Sequence, residues 1–328
     1  MKTLLVTGGA GFIGSNFIRL LLAERDDTQV LNLDKLTYAG HQDTLRDLDI
    51  HPRHHFVQGD IADPKLVESL MTSHNIQSIV NFAAESHVDR SIDGPAIFVQ
   101  TNILGTQVLL EAARKHGVSQ FVQISTDEVY GELGPTGKFT EDTPLAPSSP
   151  YSASKTSADL LALAWHRTYG IPVAITRCSN NYGPYQFPEK LIPLMVSRAL
   201  QDTSLPVYGD GSNVRDWIHV EDHCRAVLRV LENGVPGRIY NIGADCEMSN
   251  LELVHTLLDV LNKPQSLIKF VTDRPGHDWR YAIDSSRLRN ELGWQPRHDF
   301  RTGLVQTIRW IESNMDQWGP LRVLKDRS

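Results

Sequence analysis

The chain has 328 residues, 41% hydrophobic and 22% charged, which fits a globular protein of about two domains and excludes disordered, collagen-like and coiled-coil chains. With 32 basic and 39 acidic residues the net charge is −7, so no nucleic-acid partner is expected, and an anionic substrate would need local cations. Three cysteines without short spacing, no signal-like N-terminus and no apolar run of membrane-spanning length point to a cytoplasmic protein without a disulfide framework or a membrane partner.

β-Branched runs predict strands at 2–7, 29–34, 54–59, 78–84, 120–126 and 172–180. Helical patterns fall between them at 12–25, 64–74, 96–116 and 151–169. In the first of these, Ile13, Phe17 and Leu21 recur on one helical face. Repeated strand–helix–strand units imply parallel pairing with right-handed crossovers, hence an α/β doubly wound sheet of Rossmann type. Beyond residue 180, Pro and Gly break the alternation. Later helices are expected at 221–232, 250–261 and 301–313, and one late strand at 238–243 could rejoin the sheet. The division expected is 1–182 for the regular α/β domain, with returning segments at about 216–245. Residues 183–328 then form mainly a smaller, irregular α/β substrate domain.

The first strand runs into Thr7-Gly8-Gly9-Ala10-Gly11-Phe12-Ile13-Gly14. Glycines at 8, 11 and 14 between a strand and a helix are the context of the dinucleotide fingerprint. Without side chains the backbone can turn tightly and approach a pyrophosphate, and the helix N-terminus offers N–H groups and partial positive charge to it. Ser15 follows Gly14 where a P-loop would carry Lys. The second strand ends at Asp34, an acid placed to accept from ribose hydroxyls and to repel a 2′-phosphate, which favours NAD over NADP. Asp60 and Ile61 end the third strand near the expected adenine edge, though Asp60 reads equally as a turn residue.

Strand five ends in Ser125-Thr126-Asp127-Glu128. Ligands bind beyond the carboxyl ends of parallel strands, so a hydroxyl and two acids reach the site edge, although tandem acids there also suit a turn or a cap. The next helix opens with Tyr151-Ser152-Ala153-Ser154-Lys155. At i and i+4 the phenol and the ammonium share a face. The ammonium is expected to favour the phenolate, which can then take a proton from a substrate alcohol.

With these motifs together the chain resembles the extended short-chain dehydrogenase/reductases and, among them, the dTDP-glucose 4,6-dehydratase family. The resemblance spans nearly the whole length. It is carried by residues 7–16, 34–38, 83–91, 125–131, 151–155, 178–184, 188–193, 214–217 and 273–278. It implies a tightly bound NAD that is regenerated each turnover. The cofactor site implied is Gly8, Gly11, Phe12, Ile13, Gly14, Asp34, Lys35, Leu36, Thr37, Asp60 and Ile61. It continues through Phe82, Ala83, Ala84, Ser86, Thr101, Tyr151, Lys155 and Asn181. The resemblance gives Tyr151 the proton of the sugar 4-hydroxyl while hydride leaves carbon 4. Glu128 would then take the carbon-5 proton and Asp127 would protonate the departing 6-hydroxyl, before hydride returns to carbon 6. Thr126 would hold the 4-hydroxyl.

The substrate implied is dTDP-glucose, and the assembly a homodimer formed by the long helices at 96–116 and 151–169. Ser86, Thr126, Asn180, Lys190, Leu191, Pro206, Tyr208, Arg215, Asn250, Arg274 and His277 match positions that line the nucleotide-sugar pocket in the family. The two arginines suit phosphate oxygens, whereas read alone they suit a solvated surface. Asn250 also reads as part of a helix N-cap. Trp279 stands where many members carry a polar residue. His219 and His223 are four apart but lack the H-E-x-x-H order, and no metal is expected. A nucleotide-sugar 4-epimerase, or a dehydratase for another nucleotide sugar, is the alternative. The acid pair favours dehydration, since epimerisation involves no elimination.

Overall fold

The computed structural model describes residues 2–273, 277–316, 318, 319 and 321. In chain order the N-terminal elements are β1 (Lys2–Thr7), α1 (Phe12–Glu24), β2 (Thr28–Asp34), β3 (His54–Gln58), α2 (Pro64–His74) and β4 (Ile76–Asn81). Then come α3 (Val88–Asp93), α4 (Pro95–Phe98), α5 (Thr106–His116), β5 (Gln120–Thr126), α6 (Pro150–Tyr169) and β6 (Val173–Cys178). The remainder comprises β7 (Asn180–Tyr182), α7 (Leu191–Leu200), β8 (Leu205–Tyr208), β9 (Val214–His219), α8 (Val220–Asn233) and β10 (Ile239–Ile242). It ends with β11 (Glu247–Ser249), α9 (Asn250–Leu261), β12 (Ile268–Val271), α10 (Ser286–Leu292) and α11 (Phe300–Asn314).

Seven strands form the parallel, doubly wound sheet that the alternation implies, in the order β10-β6-β5-β4-β1-β2-β3. Successive side chains on a strand point to opposite faces. Thus Leu4 and Val6 enter one core layer with Phe17 and Ile18 of α1 and Val227 of α8, while Leu5 enters the other. That second layer holds Leu70 of α2, Leu109 of α5 and Ala162 of α6. Each such aliphatic side chain contributes about 1.5–3 kcal/mol by leaving water. Strand order reverses between β1 and β4, and this opens a crevice at their carboxyl ends.

Two predicted elements are divided. The expected strand 172–180 breaks at Ser179: β6 stays in the large sheet, and β7 pairs with β9 in a three-stranded sheet with β11. The expected helix 96–116 is α4, a π-helical stretch (Val99–Gly105) and α5. The wider turn places Asn102, whose amide bonds the backbone of Glu85 at both ends and the Ser154 hydroxyl, and π segments commonly serve such sites. The C-terminal half adds the β8–β12 pair and a third core, in which Ile192, Leu253 and Leu304 pack from α7, α9 and α11. The β9–α8–β10 stretch leaves the small sheet and rejoins the large one. Among the described residues, no helix is long and apolar enough to cross a membrane.

Candidate active site

The turn from β1 into α1 is packed backbone on backbone. Gly8 has a φ of +71°, and a Cβ there would lie 2.6 Å from the Ala83 nitrogen; one on Gly14 would lie 2.3 Å from the Gly8 carbonyl oxygen. Gly11 is the N-cap of α1, and no side chain caps the helix, so its first N–H groups face the crevice as donors to an anion. Asp34 is buried at the end of β2. Its Oδ2 accepts from the Ala10 N–H (2.9 Å) and its Oδ1 from the Leu36 N–H (2.8 Å). Burial raises its pKa, and these two donors pull it back. Asp60 pairs with Lys35 at 2.7 Å and also accepts from the Ala62 N–H, so it is both a turn residue and part of the wall.

A cavity of about 300 Å3 extends from this turn along the ends of β1, β4, β5 and β6. The predicted cofactor residues Gly8, Gly11, Phe12, Ile13, Gly14, Asp34, Lys35, Thr37, Asp60 and Ile61 line it. So do Phe82, Ala83, Ala84, Ser86, Thr101, Tyr151, Lys155 and Asn181. Leu36, with a φ of +57°, is not in the lining, although Lys35 before it and Thr37 after it are.

Thr126, Asp127 and Glu128 line the same cavity. Thr126 caps the 3-10 turn Asp127–Tyr130 by accepting from the Glu128 N–H. Asp127 is buried, and its Oδ2 has no hydrogen-bond partner. Burial, then the charges of Glu128 and Asp216, hold its pKa well above the carboxylate range, against smaller pulls from Arg215 and Thr126. Burial thus favours the protonated form of Asp127, the form that can donate a proton.

Helix α6 begins at a Ser149–Ser152 capping box with Pro150 in its first turn, which presents Tyr151 and Lys155 to the cavity. The expectation that Lys155 draws the Tyr151 pKa down is not met in the protein's own charge balance. Burial, then Glu128, Cys178 and Asp127, raise it well above 10, with a hydrogen bond to Thr126 opposing them. The Lys155 ammonium is turned to the Ile124 carbonyl, to which it donates at 2.6 Å.

Of the predicted substrate residues, Ser86, Thr126, Asn180 and Lys190 line the cavity, and Lys190 Nζ donates to the Ser86 carbonyl (3.3 Å). Leu191, Pro206, Tyr208, Arg215, Asn250 and His277 lie outside its lining. Leu191 opens α7 after Lys190, and Pro206 and Tyr208 stand on β8. Arg215 is buried on β9; its guanidinium donates to the carbonyls of Val214, Asp278 and Trp279 and covers the Tyr281 ring at 4.4 Å. Asn250 is the first residue of α9, whose N-cap is Ser249 in a capping box with Glu252. His277 Nδ1 contacts Asp273 at 2.7 Å. Arg274 lies outside the described residues.

The structure adds lining residues that the motifs did not single out. Tyr38 lies under the Arg90 guanidinium (3.8 Å), edge-on to Phe187, and Glu85, Cys178, Phe187 and Glu189 share the wall. Each adjoins a motif residue already named, and that adjacency was the available signal. Asp216, behind Asp127, has its pKa raised to about 6, chiefly by burial.

A nucleotide-binding crevice with paired acids and a Tyr–Lys dyad at one strand edge defines the chain as an extended short-chain dehydrogenase/reductase. Residues 5–307 match the family model described as GDP-mannose 4,6 dehydratase. A dTDP-glucose 4,6-dehydratase of Xanthomonas campestris pv. campestris is 53% identical, over 96% of this chain and 94% of the relative. The crystal structure of DesIV, a dTDP-glucose 4,6-dehydratase from Streptomyces venezuelae with NAD and TYD bound, superposes with a TM-score of 0.94 at 52% identity, covering 97% of this chain and 99% of that one. A UDP-glucose 4-epimerase from Thermotoga maritima gives 0.90 at 29% identity, covering 96% and 100%. The chain belongs to the nucleotide-sugar 4,6-dehydratase family, in the branch of the dTDP-glucose 4,6-dehydratases.

Proposed function

We propose that this protein converts dTDP-glucose to dTDP-4-keto-6-deoxyglucose and water, with NAD held throughout the cycle. The observation that carries this reading is the buried Asp127, its pKa raised by burial, beside Glu128 and Tyr151 in one cavity with the glycine turn. The cradle of Gly8 and Gly14, which a Cβ would fill, and the acceptor Asp34 fit NAD. When bound, NAD supplies a reversible hydride store and a positive ring, so that oxidation at carbon 4 and reduction at carbon 6 cancel.

The rest is done by the chain's own groups. Tyr151, hydrogen-bonded to Thr126, accepts the proton of the 4-hydroxyl. A ketone at carbon 4 acidifies the carbon-5 proton. Glu128 removes that proton, and Asp127 gives its own to the departing 6-hydroxyl, which leaves as water. One carboxylate and one carboxylic acid are what the elimination requires, and burial separates the two. The epimerase reading explains the glycine turn and the dyad but gives no use to a protonated Asp127.

The substrate's diphosphate and sugar are assigned to Ser86, Asn180 and Lys190 at the cavity, and the nucleotide to the region of Tyr208, Arg215, Asn250 and His277. We infer a cytoplasmic homodimer. Exposed Ile97, Val99, Leu104 and Leu160 put apolar surface on adjoining helical segments, as expected of an interface. Incubation with dTDP-glucose and no added reductant tests the function. A 4-keto-6-deoxy product without change in free NADH is expected; a 4-epimer as the product would overturn the reading.

A further inference from the structure

Beneath the Tyr151–Lys155 dyad lies a buried pair of opposite charges that the chemistry above does not use. Asp159 follows Lys155 by four residues, so Tyr151, Lys155 and Asp159 stack on one face of α6 at one-turn intervals. That face packs on β5 and β6. Arg177 of β6 donates from Nε to Asp159 Oδ2 at 2.9 Å, with side chains 2% and 0% exposed. The Arg177 guanidinium lies 4.8 Å from the centre of the Tyr130 ring, at the end of the turn that carries Asp127 and Glu128.

Stability alone does not account for this arrangement, because apolar residues of similar volume often replace a buried ion pair without loss. Burial raises the Asp159 pKa, and the charges of Arg177 and then Lys155, itself buried, pull it back. We propose that Asp159, oriented by Arg177, is a positioning residue that keeps the Lys155 side chain charged and fixed at the Ile124 carbonyl. The inference rests on the reading of Tyr151 and Lys155 as the proton-transfer dyad.

The neighbouring charges leave this task to Asp159. The groups facing the dyad are Asp127 and Glu128 beyond β5, Arg177 and Cys178 from β6, Tyr130 across Arg177 and, behind Asp127, Arg215 and Asp216 of β9. Burial lowers the Lys155 pKa, and Asp159 is the larger of the two groups that raise it. The other, Cys178, has its pKa pushed up to about 12 by burial and is a neutral thiol at working pH. Removing the Asp159 charge therefore lowers the pH at which Lys155 loses its proton.

The test compares pH profiles of dTDP-glucose turnover for the parent, the double variant Asp159→Asn/Arg177→Gln and Arg177→Gln alone, with bound NAD and the thermal midpoint of each as controls. The double variant removes both charges, so no unpaired ion is left buried. Its high-pH limb is expected to fall by about one unit or more, a loss of about tenfold per unit at fixed pH on that limb, with activity recovered at lower pH. Arg177→Gln alone keeps the carboxylate, and its limb should hold or rise. An unmoved limb in the double variant, or a downward shift in Arg177→Gln, overturns the inference. If the parent forms no dehydrated product, it is the functional reading that fails; a limb that stays put in an active parent background counts against Asp159 alone.

Discussion

At the carboxyl ends of β1 and β2 in the seven-stranded sheet, Gly8, Gly14 and Asp34 are fixed by backbone contacts. In the C-terminal half, Tyr208, Arg215 and Asn250 ride on two small sheets and a helix start, outside the cavity lining. The first region is a mould whose shape follows from main-chain geometry, and a single added methyl group would collide with it. The second presents side chains on a less regular scaffold, where Arg215 is buried against three carbonyls and Tyr208 is 44% exposed. Chemistry and cofactor retention should therefore be brittle in the first region, and substrate recognition graded in the second.

The largest effect is expected from Tyr151→Phe, which deletes the proton acceptor without touching the glycine turn. Turnover should fall by about 10²–10⁴-fold while bound NAD stays at parent level, read by absorbance of the purified protein. Loss of NAD together with activity would mean that the dyad shapes the mould as well as the reaction. Asp127→Asn comes next, with dehydration slowed about 10²-fold. The amide keeps the shape of the side chain and puts no charge in the buried site. Water loss, followed by solvent-isotope exchange and product analysis, should slow more than oxidation at carbon 4. Equal slowing of both steps would remove Asp127 from the elimination.

Between the two regions runs α8, capped by His219 and carrying His223. His223 is buried against the Asn181 amide (2.9 Å), and burial lowers its pKa to about 3; burial and then His298 lower that of His219 to about 4. An unfolded histidine titrates near 6.5, so as pH falls below that value the unfolded chain takes up protons that the folded one refuses. Stability carried by neutral His223 is thus present above about pH 6.5 and drains by about 1.4 kcal/mol per unit below it, until the folded group titrates. Urea denaturation from pH 7 to 5 should show this slope, and His223→Gln should flatten it. An unchanged slope would place the acid sensitivity elsewhere along the seam.

How far these regions could be read in advance follows the same division. The glycine turn, Asp34 and Tyr151–Lys155 were legible because local backbone demands and helical spacing leave marks at fixed intervals. The strand 172–180 reads as one element because Ser179, where the chain changes sheets, stands in the polar run Arg177-Cys178-Ser179-Asn180 with no Gly or Pro to mark the break. β8, β9 and β12 are short and set by long-range pairing, which no local period records. The Tyr151 pKa was misjudged for a related reason. Lys155 is close in sequence, but Glu128, which presses on the phenol after burial itself, comes from another strand end.

The smallest effect should come from the second region, through Tyr208→Ala. Tyr208 lies at the end of β8, 6.3 Å from the His277 ring in an edge-on arrangement. Its removal costs a rim contact and leaves the mould untouched. Aromatic pairings of this kind contribute about 0.5–1.5 kcal/mol, so KM for the nucleotide sugar should rise roughly two- to twelvefold, with kcat and bound NAD unchanged. A fall in kcat at saturating substrate would show that the C-terminal half helps to shape the reacting sugar. The boundary between mould and rim would then lie further into the second region than the cavity lining suggests.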